Sequence, residues 1–93
     1  MYVGVVHTIK DRNAWTQMVE NFDSAALPEG IELLATGTSG DVDRAVCLWR
    51  APSVETLETT LTQSFGDISV NDCFGVLPES VIVAGSRPEA AGV

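Results

Sequence analysis

The sequence predicts a small α+β domain in which two helices cover a sheet of four strands. Segments with strand and helix patterns follow one another in the order strand, helix, strand, strand, helix, strand, and they fill nearly all of the 93 residues. The strand segments have apolar residues at alternate positions, whereas the helix segments have them three and four positions apart. No catalytic signature accompanies this order, so it predicts an architecture and not a reaction.

Length and charge limit the classes of function. A chain of 93 residues fits one domain, whose core is small enough that burial against a second copy would stabilise it, which favours a homodimer. Thirteen acidic residues against five basic ones give a net charge of −8. Because a field of this sign repels phosphate backbones and anionic lipid, we expect neither a nucleic-acid partner nor a membrane partner.

The lack of a recognisable targeting signal and the small number of cysteines predict a cytoplasmic protein. The chain begins directly with a strand pattern, without a cationic leader or a cleavage site, and no apolar stretch approaches the roughly 20 residues that span a bilayer. Cys47 and Cys73 are too few, and too embedded in strand patterns, to indicate a secreted disulfide framework. We therefore interpret them as reduced, buried thiols.

The first strand indicates where the sheet lies in the domain. Both of its faces are largely apolar: one carries Val3, Val5, His7 and Ile9, and the other carries Tyr2, Gly4, Val6 and Thr8. A strand that is apolar on both faces belongs in the middle of a sheet that is covered on both sides. We therefore expect a second layer beyond the helices.

Two amphipathic segments predict the helices. The first spans residues 12–22 after an Asp11 cap, and the second follows a Ser53 cap and ends before Gly66. Their apolar stripes have the helical spacing that core packing requires, and we interpret Trp15 and Met18 of the first stripe as core rather than as a cofactor site. The stripes consist of Trp15, Met18, Val19 and Phe22 in the first helix and of Val54, Leu57, Leu61 and Phe65 in the second.

The remaining strands are predicted at residues 31–38, 44–51 and 69–77, with a hairpin turn joining the first two of them. In the strand at 31–38, we expect Leu33 and Thr36 on opposite faces. In the other two strands, one alternating set is expected to face the helices and the other to face away. We assign Val46, Leu48, Phe74 and Val76 to the helix side, and Cys47, Trp49, Cys73 and Leu77 to the far side.

The C-terminal part of the chain extends beyond these elements. Residues 80–84 predict a short fifth strand whose apolar side chains cover a neighbouring subunit, and residues 85–93 have the composition of a flexible tail. We therefore predict a single domain over residues 1–84.

Residues 3–15 and 46–61, with the sequences VGVVHTIKDRNAW and VCLWRAPSVETLETTL, carry a family resemblance. With the element order and the doubly apolar first strand, they resemble the ferredoxin-like fold and, more narrowly, the dimeric α+β barrel superfamily. The resemblance covers residues 2–77 and implies an antiparallel sheet of order 4-1-3-2, packed face to face with a second copy around a cavity. That superfamily includes antibiotic-biosynthesis monooxygenases, chlorite dismutase-like, stress-responsive and muconolactone isomerase-like proteins, and small nickel-binding domains.

The implied strand order bears on the two cysteines. It places the third and fourth strands on either side of the first, so their backbones are roughly 9 to 10 Å apart. A disulfide requires Cα atoms within about 7 Å. Cys47 and Cys73 are therefore not expected to bridge each other within one chain.

The candidate ligand-binding residues are aromatic, polar or thiol side chains of the strands, namely Tyr2, His7, Trp49, Arg50 and Cys73. His7, the only histidine, is either a structural residue with a satisfied hydrogen bond, or a metal ligand or proton acceptor that faces the cavity. The register decides between these. As a metal ligand it would hold nickel or another divalent ion, as the nickel-binding members suggest, and a His-Cys-Cys site is a further alternative.

Other polar residues have equally open interpretations. Arg50 either anchors an anionic group or pairs with a surface carboxylate. Asn71 and Asp72 either line the mouth of a pocket or are solvated residues near a strand end. The sequence contains no GxSxG, glycine-rich phosphate loop or HExxH motif.

The leading functional prediction is a small homodimeric α+β-barrel protein that binds a small ligand or a metal ion in the cavity between the two sheets. The alternative is a cofactor-independent monooxygenase or isomerase acting on an aromatic or polyketide-like molecule. A third hypothesis is a structural interaction module with a filled interior. The sequence leaves open whether the protein is an enzyme.

Overall fold

The computed structural model describes residues 1–82 and shows two helices packed on one side of a four-stranded antiparallel sheet. The predicted α+β class and element order are thus confirmed. The strands are β1 (Tyr2–Ile9), β2 (Glu32–Thr38), β3 (Arg44–Arg50) and β4 (Ser69–Val76); the helices are α1 (Arg12–Glu20) and α2 (Val54–Phe65). Short 3-10 turns occupy Ser24–Ala26 and Pro78–Ser80. No helix within the described residues is long and apolar enough to cross a bilayer.

The strands are ordered β2-β3-β1-β4 across the sheet, which is 4-1-3-2 when counted from the β4 edge. β1 pairs antiparallel with both β3 and β4, and Val5 lies directly opposite Cys47 on one side and Cys73 on the other. The two cysteines are therefore separated by a whole strand, and both are free thiols. This arrangement agrees with the expectation that they do not bridge each other.

Both helices begin at the predicted cap residues. The Asp11 carboxylate accepts a hydrogen bond from the Ala14 amide, and the Ser53 hydroxyl accepts one from the Thr56 amide. Each cap provides a partner for an amide that has none within the first turn of its helix. α2 ends just before Gly66, as predicted, whereas α1 ends at Glu20, two residues earlier than the apolar stripe suggests.

The core lies between the helices and one face of the sheet. On this helix-facing side, Val3 and Val5 of β1 and Trp49 of β3 pack with Leu57 and Leu61 of α2. A second, smaller cluster joins Ile9, Trp15 and Ala45 near α1. The odd-numbered residues of β1 therefore face the helices, and His7 lies among them at 1% exposure.

The face assignment predicted for β3 and β4 is wrong. Cys47, Trp49 and Cys73 pack in the core beneath the helices, whereas Val46 and Phe74 are 59% and 47% exposed on the opposite, open face of the sheet. Alternation separates the residues of a strand into two sets, but both sets are apolar here, so hydrophobicity does not show which one faces the helices. The register shows which set faces the helices, because residues directly opposite each other in neighbouring strands lie on the same face.

The same correction applies to the partners of these residues. Leu48 and Val76 lie on the open face with Val46 and Phe74, because they pair with Gly4 and Tyr2 of β1. Leu77, predicted to face away from the helices within a strand, lies just beyond the end of β4 and is 65% exposed.

A bulge in β2 changes the direction of its side chains. Leu33 pairs with Trp49 and Ala35 with Leu48, so Leu34 is an additional residue on the β2 side. The extra residue shifts the alternation by one position. Thr36 therefore lies opposite Cys47, on the same face as Leu33, and the prediction that Leu33 and Thr36 lie on opposite faces is wrong.

The segment after β4 contains no strand within the described residues. Pro78–Ser80 form a 3-10 turn, and Val81 and Ile82 have no regular structure. The rest of the predicted fifth strand and the predicted tail at residues 85–93 lie outside the described residues. The domain boundary at residue 84 stays a prediction.

Candidate functional site

A cavity of about 190 Å³ lies between the sheet and the two helices, near the β2 edge. Strands β1, β2 and β3 form its floor, the helices form its walls, and the segment between α1 and β2 covers part of it. Aromatic and aliphatic side chains dominate the lining, and Trp15, Trp49 and Phe65 are the largest of its buried or half-buried members. The polar groups of the lining belong to a few residues, among which His7, Thr36 and Cys47 are neighbours on the floor.

His7 is held from both ring nitrogens. Its Nδ1 lies 2.5 Å from Asn71 Oδ1, and its Nε2 lies 3.1 Å from Cys47 Sγ. The rings of Trp15 and Phe65 flank the imidazole at centroid distances of 4.9 and 6.2 Å. His7 is thus fixed in position between two hydrogen bonds and two aromatic rings.

The hydrogen-bond partners determine where the protons lie. Asn71 Oδ1 is a carbonyl oxygen that also accepts a bond from the Ser69 hydroxyl at 2.7 Å, so the proton shared with His7 belongs to His7 Nδ1. In a neutral imidazole, Nε2 then has no proton and accepts one from the Cys47 thiol. Thr36 Oγ1 lies 3.2 Å from the same sulfur and donates its hydroxyl proton to it.

Burial favours the neutral forms of both groups. It lowers the pKa of His7 from its ordinary value, against the smaller opposing effect of the hydrogen bond with Asn71. Burial likewise raises the pKa of the Cys47 thiol, and the hydrogen bond with Thr36 and the nearby indole of Trp49 partly oppose that rise. The pair at neutral pH is therefore an imidazole and a thiol, not an imidazolium and a thiolate.

Trp49 contributes an unused hydrogen-bond donor to the cavity floor. The residue is 4% exposed, and its Nε1 has no hydrogen-bond partner among the described residues. In contrast, Nε1 of Trp15 donates to Thr38 Oγ1 at 3.1 Å. Because buried polar groups are rarely left unpaired, this indole N–H is an unsatisfied donor beside the cavity.

The five predicted ligand-binding residues do not form one site. His7 and Trp49 line the cavity, and Cys73 lies on the helix-facing side but beyond Val5, outside the lining. Tyr2 and Arg50 pair with each other on the open face. Arg50 Nη1 donates to Glu32 Oε1 at 2.6 Å, and the Arg50 guanidinium lies 5.5 Å from the Tyr2 ring centroid. Of the two interpretations of Arg50, the structure therefore contains the pair with a surface carboxylate.

Three residues of the candidate site lie where the sequence does not place them. The sequence predicts Cys47 on the opposite face and Asn71 at a pocket mouth or in solvent, and Thr36 reaches the site only because of the bulge in β2. Asn71 is in fact half-buried and lies directly opposite His7 in the pairing of β1 with β4. The register between β1 and β4 is the signal that places Asn71 beside His7, whereas nothing in the sequence indicates the bulge in β2.

A metal ion does not fit the side chains around His7. Within residues 1–82 no cluster of three or more His, Cys, Asp or Glu side chains is able to hold a metal. Both ring nitrogens of His7 already have hydrogen-bond partners, so a metal would have to replace Cys47 or Asn71 at the imidazole. These donors do not form the three- or four-ligand site that zinc or nickel requires.

Comparisons of the chain with protein-family models, curated proteins and solved structures found no match. The geometry of the cavity is therefore the basis on which its function is interpreted.

Proposed function

We propose that the protein binds a small apolar molecule, about the size of one aromatic ring, in the cavity between the sheet and the helices. The observation that carries this proposal is a cavity of about 190 Å³ whose lining is mostly aromatic and aliphatic. For comparison, an apolar cavity of roughly 150 Å³ engineered into another protein stays dry and binds benzene. The proposed ligand site thus lies beneath the helices instead of between two sheets.

The polar floor of the cavity indicates the chemistry of the ligand. The unpaired Trp49 N–H is a donor, and Thr36 and Cys47 lie beside it. A ligand that carries one hydrogen-bond acceptor, such as a carbonyl or ether oxygen, would satisfy the indole while its apolar part contacts Trp15 and Phe65. A few placed polar groups in an apolar lining are typical of small-molecule sites.

Ligand titration tests this proposal. Benzaldehyde and acetophenone, each a ring with one acceptor, are expected to bind and to raise the melting temperature; saturation at 100 times Kd would stabilise the fold by about 2.7 kcal/mol. Thr60→Phe places a ring into the lining and should abolish the effect. Thr59→Phe, on the exposed side of the same helix, is the matched control and should bind normally. Equal binding by both variants would contradict the proposed location.

The fold and its assembly form a second part of the proposal. The split β-α-β arrangement with strand order 4-1-3-2 supports a ferredoxin-like fold, and the open sheet face supports a dimer of the α+β-barrel kind. Several large apolar side chains are exposed there, including Val46, Val70 and Phe74 at 59%, 58% and 47%. Burial of such a face against a second copy removes apolar area from water.

Light scattering at defined concentrations tests the dimer. The wild-type chain should have the mass of two copies, and Val46→Lys on the open face should have the mass of one. Thr59→Lys, on the exposed side of α2, is the control that should remain dimeric. A wild-type monomer at high concentration would contradict the assembly but not the ligand cavity.

The alternative function, a cofactor-independent monooxygenase or isomerase, has less support from the site. Such chemistry needs a base that is free to take a proton from the ligand. His7 is the only histidine, and both of its ring nitrogens are hydrogen-bonded to protein atoms. Ligand binding therefore has more support from the geometry than proton abstraction from a ligand.

A further inference from the structure

Cys47, His7 and Asn71 form a connected chain of side chains across β3, β1 and β4, in which Asn71 lies directly opposite His7 and Cys47 lies two residues along β3 from Ala45, the residue opposite His7. The sulfur contacts Nε2 of the imidazole at 3.1 Å, and Nδ1 of the same ring contacts the Asn71 amide oxygen at 2.5 Å. A nucleophile within hydrogen-bond reach of a base, with the base oriented by a third group, is the arrangement that activates thiols and hydroxyls for attack.

We propose that Cys47 is a nucleophile that accepts an acyl group from a small ester or thioester bound in the cavity, with His7 as its base. This inference rests on the proposed ligand site, because the cavity is where the acyl compound would lie. Asn71 is a positioning residue, since its side-chain oxygen accepts hydrogen bonds from His7 and Ser69 and keeps the imidazole proton on Nδ1.

The first step forms a thioester with the protein. As Sγ of Cys47 bonds to the carbonyl carbon, the thiol proton passes to Nε2 of His7 and the carbonyl oxygen becomes an oxyanion. When the carbonyl forms again, its bond to the leaving oxygen or sulfur breaks, and His7 returns the proton to that leaving atom. The electron pair of the broken bond stays with the leaving group.

Water completes the cycle. His7 takes a proton from a water molecule as the water oxygen attacks the thioester carbon, and the C–S bond then breaks. The sulfur leaves with the electron pair and regains a proton from His7, which restores the thiol and releases a carboxylic acid. No oxidant, reductant or other co-reactant is required.

Trp49 provides the independent observation that points to this chemistry. Its indole N–H is buried, has no partner at hydrogen-bond geometry among the described residues, and lies near enough to Cys47 to lower the pKa of the thiol. During acyl transfer, negative charge develops on the carbonyl oxygen. A hydrogen-bond donor next to the nucleophile stabilises that charge. Thr36, which donates to the sulfur in the resting site, adds a second hydroxyl at the same place.

Cys73 is an internal control for the proposal. It is the other free thiol of the chain and is half-buried like Cys47, but it has no imidazole beside it and lies outside the cavity lining. Burial, followed by the charges of Glu58 and Asp72, raises the pKa of its thiol. Unassisted reaction at Cys73 therefore depends on the small thiolate fraction.

The test uses 4-nitrophenyl acetate with the wild-type protein, and peptide mass spectrometry to locate the acetyl group. Cys47 is expected to be acetylated about 100-fold faster than Cys73 at neutral pH, which is the ordinary contribution of a general base. A burst of one nitrophenolate per chain should be lost in Cys47→Ser and retained in Cys73→Ser. Acetylation of Cys73 as fast as that of Cys47 would overturn the proposal, and this comparison requires no variant to fold.

The pH profile separates base catalysis from simple thiol reactivity. Burial lowers the pKa of His7, so the Cys47 rate should be level from neutral pH down to below 6.5 and then fall about tenfold per pH unit. The rate at Cys73 should instead rise about tenfold per unit with pH as the thiolate forms. A Cys47 profile that simply rises in parallel with that of Cys73 would overturn the role of His7.

Asn71→Asp tests the positioning role. The carboxylate has the shape of the amide but favours the imidazolium, so it should move the acid limb of the Cys47 profile to higher pH. An unchanged limb would show that Asn71 does not set the state of His7. Failure of ring compounds to bind, together with rapid acetylation of Cys47, would remove the proposed ligand function and leave the nucleophile in place. Binding of the ring compounds without selective acetylation of Cys47 would remove the proposed nucleophile and leave the ligand site in place.

Discussion

Lowering the pH below 6.5 is predicted to destabilise the fold through His7 alone. The imidazole is 1% exposed, lies against Trp15 and Phe65, and burial lowers its pKa in the folded chain. In the unfolded chain it has its ordinary pKa of about 6.5 and takes up a proton first. The unfolded state therefore binds more protons than the folded state once the pH falls into this window.

The sign and the size of the effect follow from proton linkage. The stability contributed by the neutral imidazole is fully present above pH 6.5 and is lost as the pH falls through that value, until the folded-state pKa is reached. One proton limits the slope to about 1.4 kcal/mol per pH unit. His7 is the only histidine, so no other side chain of ordinary pKa titrates between about pH 5.5 and 7.

Urea unfolding at fixed protein concentration, in steps between about pH 5.5 and 7.5, measures this slope. A fixed concentration is needed because a dimer would make the apparent stability depend on it. His7→Asn keeps a donor toward Asn71 but does not titrate, and should have a flat profile. If that variant does not fold, the imidazole NMR titration of the wild-type protein gives the same information. A wild-type stability that does not change across the window, or an imidazole pKa at or above 6.5, would refute the reasoning.

Three further predictions concern stability and share the same urea measurement. Leu57→Ala should lower the free energy of unfolding by about 2 to 5 kcal/mol, because the side chain is fully buried in the larger cluster. A loss well below about 2 kcal/mol would mean that the neighbouring side chains move in to fill the space left by Leu57. Ser53→Ala should cost about 1 kcal/mol through loss of the α2 cap, and Ser53→Asp should retain the stability. Arg50→Ala should leave the urea midpoint unchanged, because the pair with Glu32 is solvent-exposed; a clear decrease would assign that pair a structural role.

The proposed site depends on pairing between strands that are distant in the chain. His7 contacts Cys47 across one edge of β1 and Asn71 across the other, over sequence separations of 40 and 64 residues. None of these three residues belongs to a short motif with fixed spacing. A search for local signatures therefore finds nothing, although the sheet places the three side chains in contact.

The open face shows how one sequence feature has two consequences. The two apolar sets of β1 correctly predict a central strand, and its neighbours are β3 and β4. Because β3 and β4 also have apolar residues in both alternating sets, the sequence does not show which set of each strand faces the helices. For this reason the sequence predicts Val46 and Phe74 on the helix side, although Cys47 and Trp49 are the residues of β3 that pack there.

The sequence by itself determined the order and type of the elements, the helix caps at Asp11 and Ser53, and the central position of the first strand. These depend on periodicity and on local hydrogen bonds, which a short segment contains in full. Only the tertiary structure decided which face of each strand meets the helices, where the β2 bulge lies, and that His7 joins Cys47 to Asn71. Register is a property of two strands together, and a shift of a single residue reverses every side chain.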